Sequence, residues 1–133
     1  MIQKILYEVI NVRIVMSIDS KQTDKSNHPI SLKSISNIDM IVTKKDGHVE
    51  LSIIVAGYLD ESNFTEERIL QKLNYYLTYI NSPEFYEEFG EPSAEKIGII
   101  LKCSIDPHEA IYDLINTVQS QVNSNNATLR IET

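Results

Sequence analysis

The 133-residue chain has no tryptophan, one cysteine, four glycines and only twelve lysines and arginines. Each shortage closes off a class of chemistry. Cys103 has no partner for an internal disulfide and supports no multi-cysteine metal cluster; a reducing compartment fits it. The glycines are too scattered for a phosphate-cradling loop, and neither a dinucleotide fingerprint nor a G-x-S-x-G elbow is present. None of His28, His48 and His108 has a histidine or cysteine at metal-ligand spacing, so no cofactor or metal is expected. No run is long and apolar enough to cross a bilayer. Lys4, Glu8, Asn11 and Arg13 interrupt any signal-peptide core, which leads to the expectation of a cytoplasmic protein.

The shortage of bases is local. Formal net charge is −7, and the excess acids lie between Asp60 and Glu95: Asp60, Glu61, Glu66, Glu67, Glu84, Glu87, Glu88, Glu91 and Glu95 stand against Arg68 and Lys72. Nothing there replaces phosphate counterions, so no nucleic acid and no membrane surface is expected as a partner. The excess reads as a solvated face, or as a surface for a basic protein.

What is present is an ordinary globular composition, 42% hydrophobic and 23% charged. Two β-rich runs flank Asp46-Gly47, a pair suited to a tight hairpin turn. In the second run Val49, Leu51, Ile53, Val55 and Leu59 share one face at period two, while Ile54 and Ala56 make the other face apolar as well. That pattern predicts a strand central in its sheet. Asn63 is a candidate cap, with Glu66 as its capping-box partner, for a helix over about Phe64 to Asn81. Ser82-Pro83 stops that helix and opens a short turn that Gly90 ends. Ile97 to Cys103 reads as a buried strand. Asp106-Pro107-His108-Glu109 reads as a helix start with Asp106 as cap. Asn123 to Asn126 forms a turn cluster, and Ala127, Leu129 and Ile131 alternate as a last strand.

Upstream, Ile10, Val12, Ile14, Met16 and Ile18 alternate with more polar residues, predicting a strand over about residues 5–18. Ser20 to Asn37 reads as a loop. Met16 is a plausible alternative start, which would make residues 1–15 dispensable. The organisation is one α+β domain over 1–133: an N-terminal strand (1–19), a loop (20–37) and a core (38–133). It takes the form of a two-layer sandwich, with two helices mainly on one face of the sheet. Right-handed crossovers would make the strand after each helix parallel to the one before it.

The hairpin Ile38-Asp39-Met40-Ile41 to Leu51-Ser52-Ile53, followed by Lys72-Leu73-Asn74-Tyr75-Tyr76-Leu77-Thr78-Tyr79-Ile80, resembles a family of small bacterial proteins catalogued as a domain of unknown function. The strand ending in Cys103 and the proline-initiated helix after it are similar to that family too. The resemblance covers Ile38 to Val122. In that family an aromatic such as tryptophan and a histidine precede the long helix, whereas Tyr58 and Asn63-Phe64 stand there in this chain. The resemblance implies no established activity.

Three groupings are candidates for function. Cys103 and His108 suggest a thiol–imidazole pair, but Cys103 shares its face with Ile97, Ile99 and Leu101, where a cysteine packs as a small hydrophobe. Asp60, Glu61, Glu66 and Glu67 surround one strand-to-helix turn. They suit a helix dipole, and lack the spacing and glycine of a calcium loop. Tyr75, Tyr79 and Tyr86, with Glu87 beside them, have the composition of an interface, unless the Phe85–Phe89 turn folds back over Tyr75 and Tyr79. No residue is assigned a catalytic role. The expectation is a non-catalytic protein-binding or regulatory protein, of immunity type for example, that offers Asp60, Glu61, Glu66, Glu67, Tyr75, Tyr79, Tyr86 and Glu87 to a basic partner. One alternative is a small enzyme or small-molecule binder with a pocket between helix and sheet. The other is a homo-oligomeric structural subunit, a homodimer joined through its N-terminal strand.

Overall fold

The computed structural model describes residues 35–133. The expected N-terminal strand, the loop up to residue 34 and the expected dimer contact through that strand lie outside the described residues.

Strand β1 (Met40–Thr43) turns at Gly47, whose φ is +96°, into β2 (Val49–Val55). A residue with a side chain is strained at that angle, and glycine is not. Helix α1 (Asn63–Ile80) follows, then the short α2 (Pro83–Phe89), β3 (Ile97–Cys103), α3 (Glu109–Ser124) and β4 (Thr128–Glu132). The sheet order is β1-β2-β3-β4. β1 and β2 pair antiparallel, with Met40 opposite Ser52; β2–β3 and β3–β4 pair parallel, with Leu51 opposite Ile99 and Ile99 opposite Leu129. This is the expected α+β architecture, and β2 is an interior strand as its pattern demanded.

Both crossovers step the same way along the sheet, and crossovers of one hand then place their helices on one side. Val49, Leu51, Ile53 and Val55 of β2, Ile97, Ile99, Leu101 and Cys103 of β3, and Leu129 of β4 join one core with Leu73, Tyr76 and Ile80 of α1, Phe85 of α2, and Ile111, Ile115, Val118 and Val122 of α3. On the opposite face, apolar by pattern at Ile54 and Ala56, Ile54 is 39% exposed.

Three element boundaries differ from the sequence reading. Ser62, not Asn63, caps α1: its Oγ accepts from the Thr65 N–H at 3.2 Å, while Asn63 is already helical. Asp60 decides this, because its carboxylate takes the Ser62 N–H and Oγ and the Thr65 hydroxyl, and so fixes Ser62 in extended geometry. His108, not Asp106, caps α3: its Nδ1 accepts from the Ala110 N–H at 2.9 Å. The His108 N–H donates to the Leu59 carbonyl at 3.0 Å and holds the chain extended there, and Asp106, two residues earlier, accepts from the Tyr112 hydroxyl. Finally, α3 continues through Ser124, and the turn is confined to Asn125 and Asn126, the latter at φ 72°.

Candidate functional site

The eight residues singled out by sequence fall into two groups at opposite ends of α1. An 18-residue helix is about 27 Å long, so they do not form one patch.

Asp60, Glu61, Glu66 and Glu67 lie at its first turn, beyond the end of β2. Asp60 is occupied with the α1 cap. Glu61 Oε1 is 2.9 Å from His108 Nε2. Since Nδ1 of His108 accepts from a backbone N–H, its ring proton sits on Nε2 and points at Glu61. One imidazole therefore ties the starts of α1 and α3 together across the ends of the two parallel strands. Cys103 is near in sequence but not part of this arrangement: it is 5% exposed and its thiol lies against the Leu101 carbonyl. Burial, with a smaller push from Asp106, raises the thiol to about 11. A neutral thiol is a poor nucleophile. Among the described residues, no three His, Cys, Asp or Glu side chains are placed to hold a metal ion.

The second group lies at the far end of α1. Ser82 caps α2, and Pro83 takes its first turn. Phe85 is fully buried and meets the Tyr79 ring edge-on at 5.5 Å and the Phe89 ring at 4.7 Å. So α2 does fold back over Tyr79, and both Tyr75 and Tyr79 are partly buried against the core. Tyr79 is held above the usual tyrosine value, first by burial and then by the carboxylates of Glu88 and Glu84. Anchoring Phe85 inward turns the next residue outward. Tyr86 is 59% exposed, beside the exposed Glu84, Glu87 and Glu88. Neither base of this acidic span lies in α2. Arg68 lies over the Phe64 ring at 5.6 Å, and the Lys72 side chain is only 1% exposed.

Lys72 belongs to a polar network that the sequence reading missed. Its Nζ donates to Asp39 Oδ1 and to the Asn37 carbonyl, both at 2.9 Å. Asp39 Oδ2 accepts from the Ile54 N–H at 2.9 Å, and the Asp39 N–H donates to the Tyr76 hydroxyl, which donates to the Ser52 carbonyl. The signal was available: Ile69, Lys72, Tyr76 and Ile80 are three or four apart, so Lys72 lies on the buried side of α1.

A shallow depression of about 360 Å³ is lined by Asp46, Gly47, His48, Ser93, Glu95 and Lys96. It sits by the hairpin turn and the start of β3, at the other end of the parallel strands from His108 and Cys103. Asp46 there is held below the usual carboxylate value, first by the His48 N–H and then by the His48 ring.

A model of a family of unknown function, DUF6572, matches residues 30–133. The chain belongs to that family. The match extends past Ile38 and Val122 at its two ends and takes in β4 at the C-terminus. No curated protein and no solved structure matches the chain. In this DUF6572 chain the elements that build the core, the His108–Glu61 tie and the α2 ridge all lie within the matched residues. No described helix is long and apolar enough to cross a membrane.

Proposed function

We propose that the chain is a non-catalytic protein-binding or regulatory module of a bacterial cytoplasm, whose α2 ridge docks on a basic protein surface. An immunity-type partner of a basic protein is one form of this. The observation that carries the reading is Tyr86, held 59% exposed among Glu84, Glu87 and Glu88 by a neighbour, Phe85, that is fully buried. An amphipathic ring on a rigid support contributes contact area at little entropic cost, and acids around it steer a cationic partner. The reading narrows the surface foreseen from sequence: Tyr86 and Glu87 keep their place in it, joined by Glu84 and Glu88. Asp60, Glu61, Tyr75 and Tyr79 act as supports of the fold.

The test is titration of the full chain against basic proteins of pI above about 9. Glu87→Lys with Glu88→Lys should abolish binding. Tyr86→Ala should weaken it by about tenfold, the loss expected for an interface aromatic. Binding that ignores Tyr86→Ala, or that falls equally for Glu66→Lys with Glu67→Lys, would reduce the attraction to net charge and overturn the reading.

A further inference from the structure

In a strand the N–H and C=O of one residue point to the same side, and successive residues alternate. Among the described residues β4 ends the sheet and pairs with β3 on one side only. Its other side is occupied by side chains of α3. The Leu129 N–H donates to Gln119 Oε1 at 2.9 Å, and Gln119 Nε2 donates to the Leu129 carbonyl at 2.7 Å. One carboxamide thus makes, at Leu129, the pair of bonds that a neighbouring strand would make. Asn123 Nδ2 donates to the Ala127 carbonyl at 2.9 Å, two residues earlier on the same side of the chain. Gln119 and Asn123 are four apart in α3, so both amides lie on one flank of the helix, next to the stripe of Ile115, Val118 and Val122 that packs on the core.

We propose that Gln119 is an autoinhibitory contact, which closes the β4 edge against strand addition by a second copy of the chain. The edge is otherwise suited to pairing. Its register with β3 is unbroken from Thr128 to Glu132, and it contains no proline, lysine or bulge, the usual means of blunting an edge. The opposite edge differs: β1 is only four residues long and runs into Lys44 and Lys45. The sequence of β4 also complements itself. A second β4 laid antiparallel about a two-fold axis at Ile131 sets Arg130 of each strand opposite Glu132 of the other, and like residue opposite like only at the apolar Ile131. The backbone of Ile131 points to the same side as that of Leu129, so it supplies the bonds at the axis. Such pairing is in competition with the Gln119 side chain, which must leave Leu129 before a second strand can bond there. The edge is separate from the α2 ridge, and neither reading depends on the other.

Sedimentation of the full chain from about 5 to about 200 µM, beside Gln119→Leu and Gln119→Ala, tests the proposal, because weak association shows over that range. Circular dichroism checks that the variants keep the fold. Both should dimerise at concentrations at least about tenfold below any at which the unaltered chain does, since two hydrogen bonds that compete with pairing are gone. Adding Ile131→Pro should cancel the gain: proline removes the outward N–H at the axis and leaves the bonds to β3 in place. Hydrogen exchange at the lowest concentration reads the contact itself, and the Leu129 amide should exchange at least about tenfold faster in Gln119→Ala. Equal association of the unaltered chain and both variants would overturn the proposal. So would association that persists with Ile131→Pro, which would assign it to a bared flank of α3, or a Leu129 amide indifferent to Gln119→Ala.

Discussion

At the scale of single residues, Cys103 and His108 show how position sets chemistry. Cys103 ends a strand whose inward face is apolar, and burial keeps its proton on. Native protein should react with a thiol reagent only on unfolding; fast labelling without denaturant would contradict the buried assignment. The raised value also sets an alkaline limit. An unfolded thiol titrates near 9.0, whereas the native one holds its proton to about 11, so the native state binds more protons between those values. Stability from this group is complete below pH 9 and is lost as pH rises towards 11. The urea midpoint should fall over that interval, and Cys103→Ala should flatten the slope. His108 supplies a cap through Nδ1, a role more often filled by a side-chain oxygen. His108→Ala should cost about 0.5–2 kcal/mol, the range for lost caps. Asp106→Ala should stay within about 0.5 kcal/mol, since its hydrogen bond to Tyr112 is exposed. Urea denaturation of the two variants checks the order, and the reverse order would return the cap to Asp106.

At the scale of elements, α1 is joined to the sheet edge by charge as well as by apolar packing. Lys72 holds the residues just before β1, and Asp39 in turn occupies the Ile54 N–H. Removing one member of a buried pair leaves the other short of compensation and costs about 3–5 kcal/mol. Lys72→Ala should lose an amount of that order in urea unfolding, and Asp39→Ala added to it should cost less than the sum of the single losses. The short α2 depends on its exit. Gly90 adopts φ 85° and ψ −169°, a region restricted to glycine, and an added Cβ would stand 3.3 Å from Lys96 Nζ. Gly90→Ala should cost about 1–3 kcal/mol. Measured by the same unfolding assay, a neutral result would mean that the backbone relaxes there.

At the scale of the whole molecule, charge is unevenly placed. The α2 ridge carries Glu84, Glu87 and Glu88 around Tyr86, while on the sheet face away from the helices Lys44, Lys102 and Arg130 pair with Glu50 and Glu132. Binding of a basic partner should therefore weaken between about 50 and about 500 mM salt, as the screening length shortens to a few ångströms. Titration at both salt levels checks this, and binding indifferent to salt would contradict it.

The sequence by itself determined what local pattern encodes. Alternation marked β2 and β3, helical spacing marked α1 and α3, and Asp46-Gly47, Pro83 and Gly90 placed the turns. The order of those elements, with right-handed crossovers, was enough to give parallel β2–β3–β4 pairing with the helices on one side. Only the tertiary structure decided which polar groups meet. Asp60 settled the α1 cap in favour of Ser62, and the Leu59 carbonyl held His108 where it caps α3. Asp39 drew Lys72 inward, and the buried Phe85 turned Tyr86 out. In the last three cases the partner is distant in the chain or its effect passes through a separately folded core, and local periodicity carries no information on such pairings. The same reason explains why Ile54, apolar by pattern, faces outward: whether a second layer covers a strand is a property of the assembled sheet.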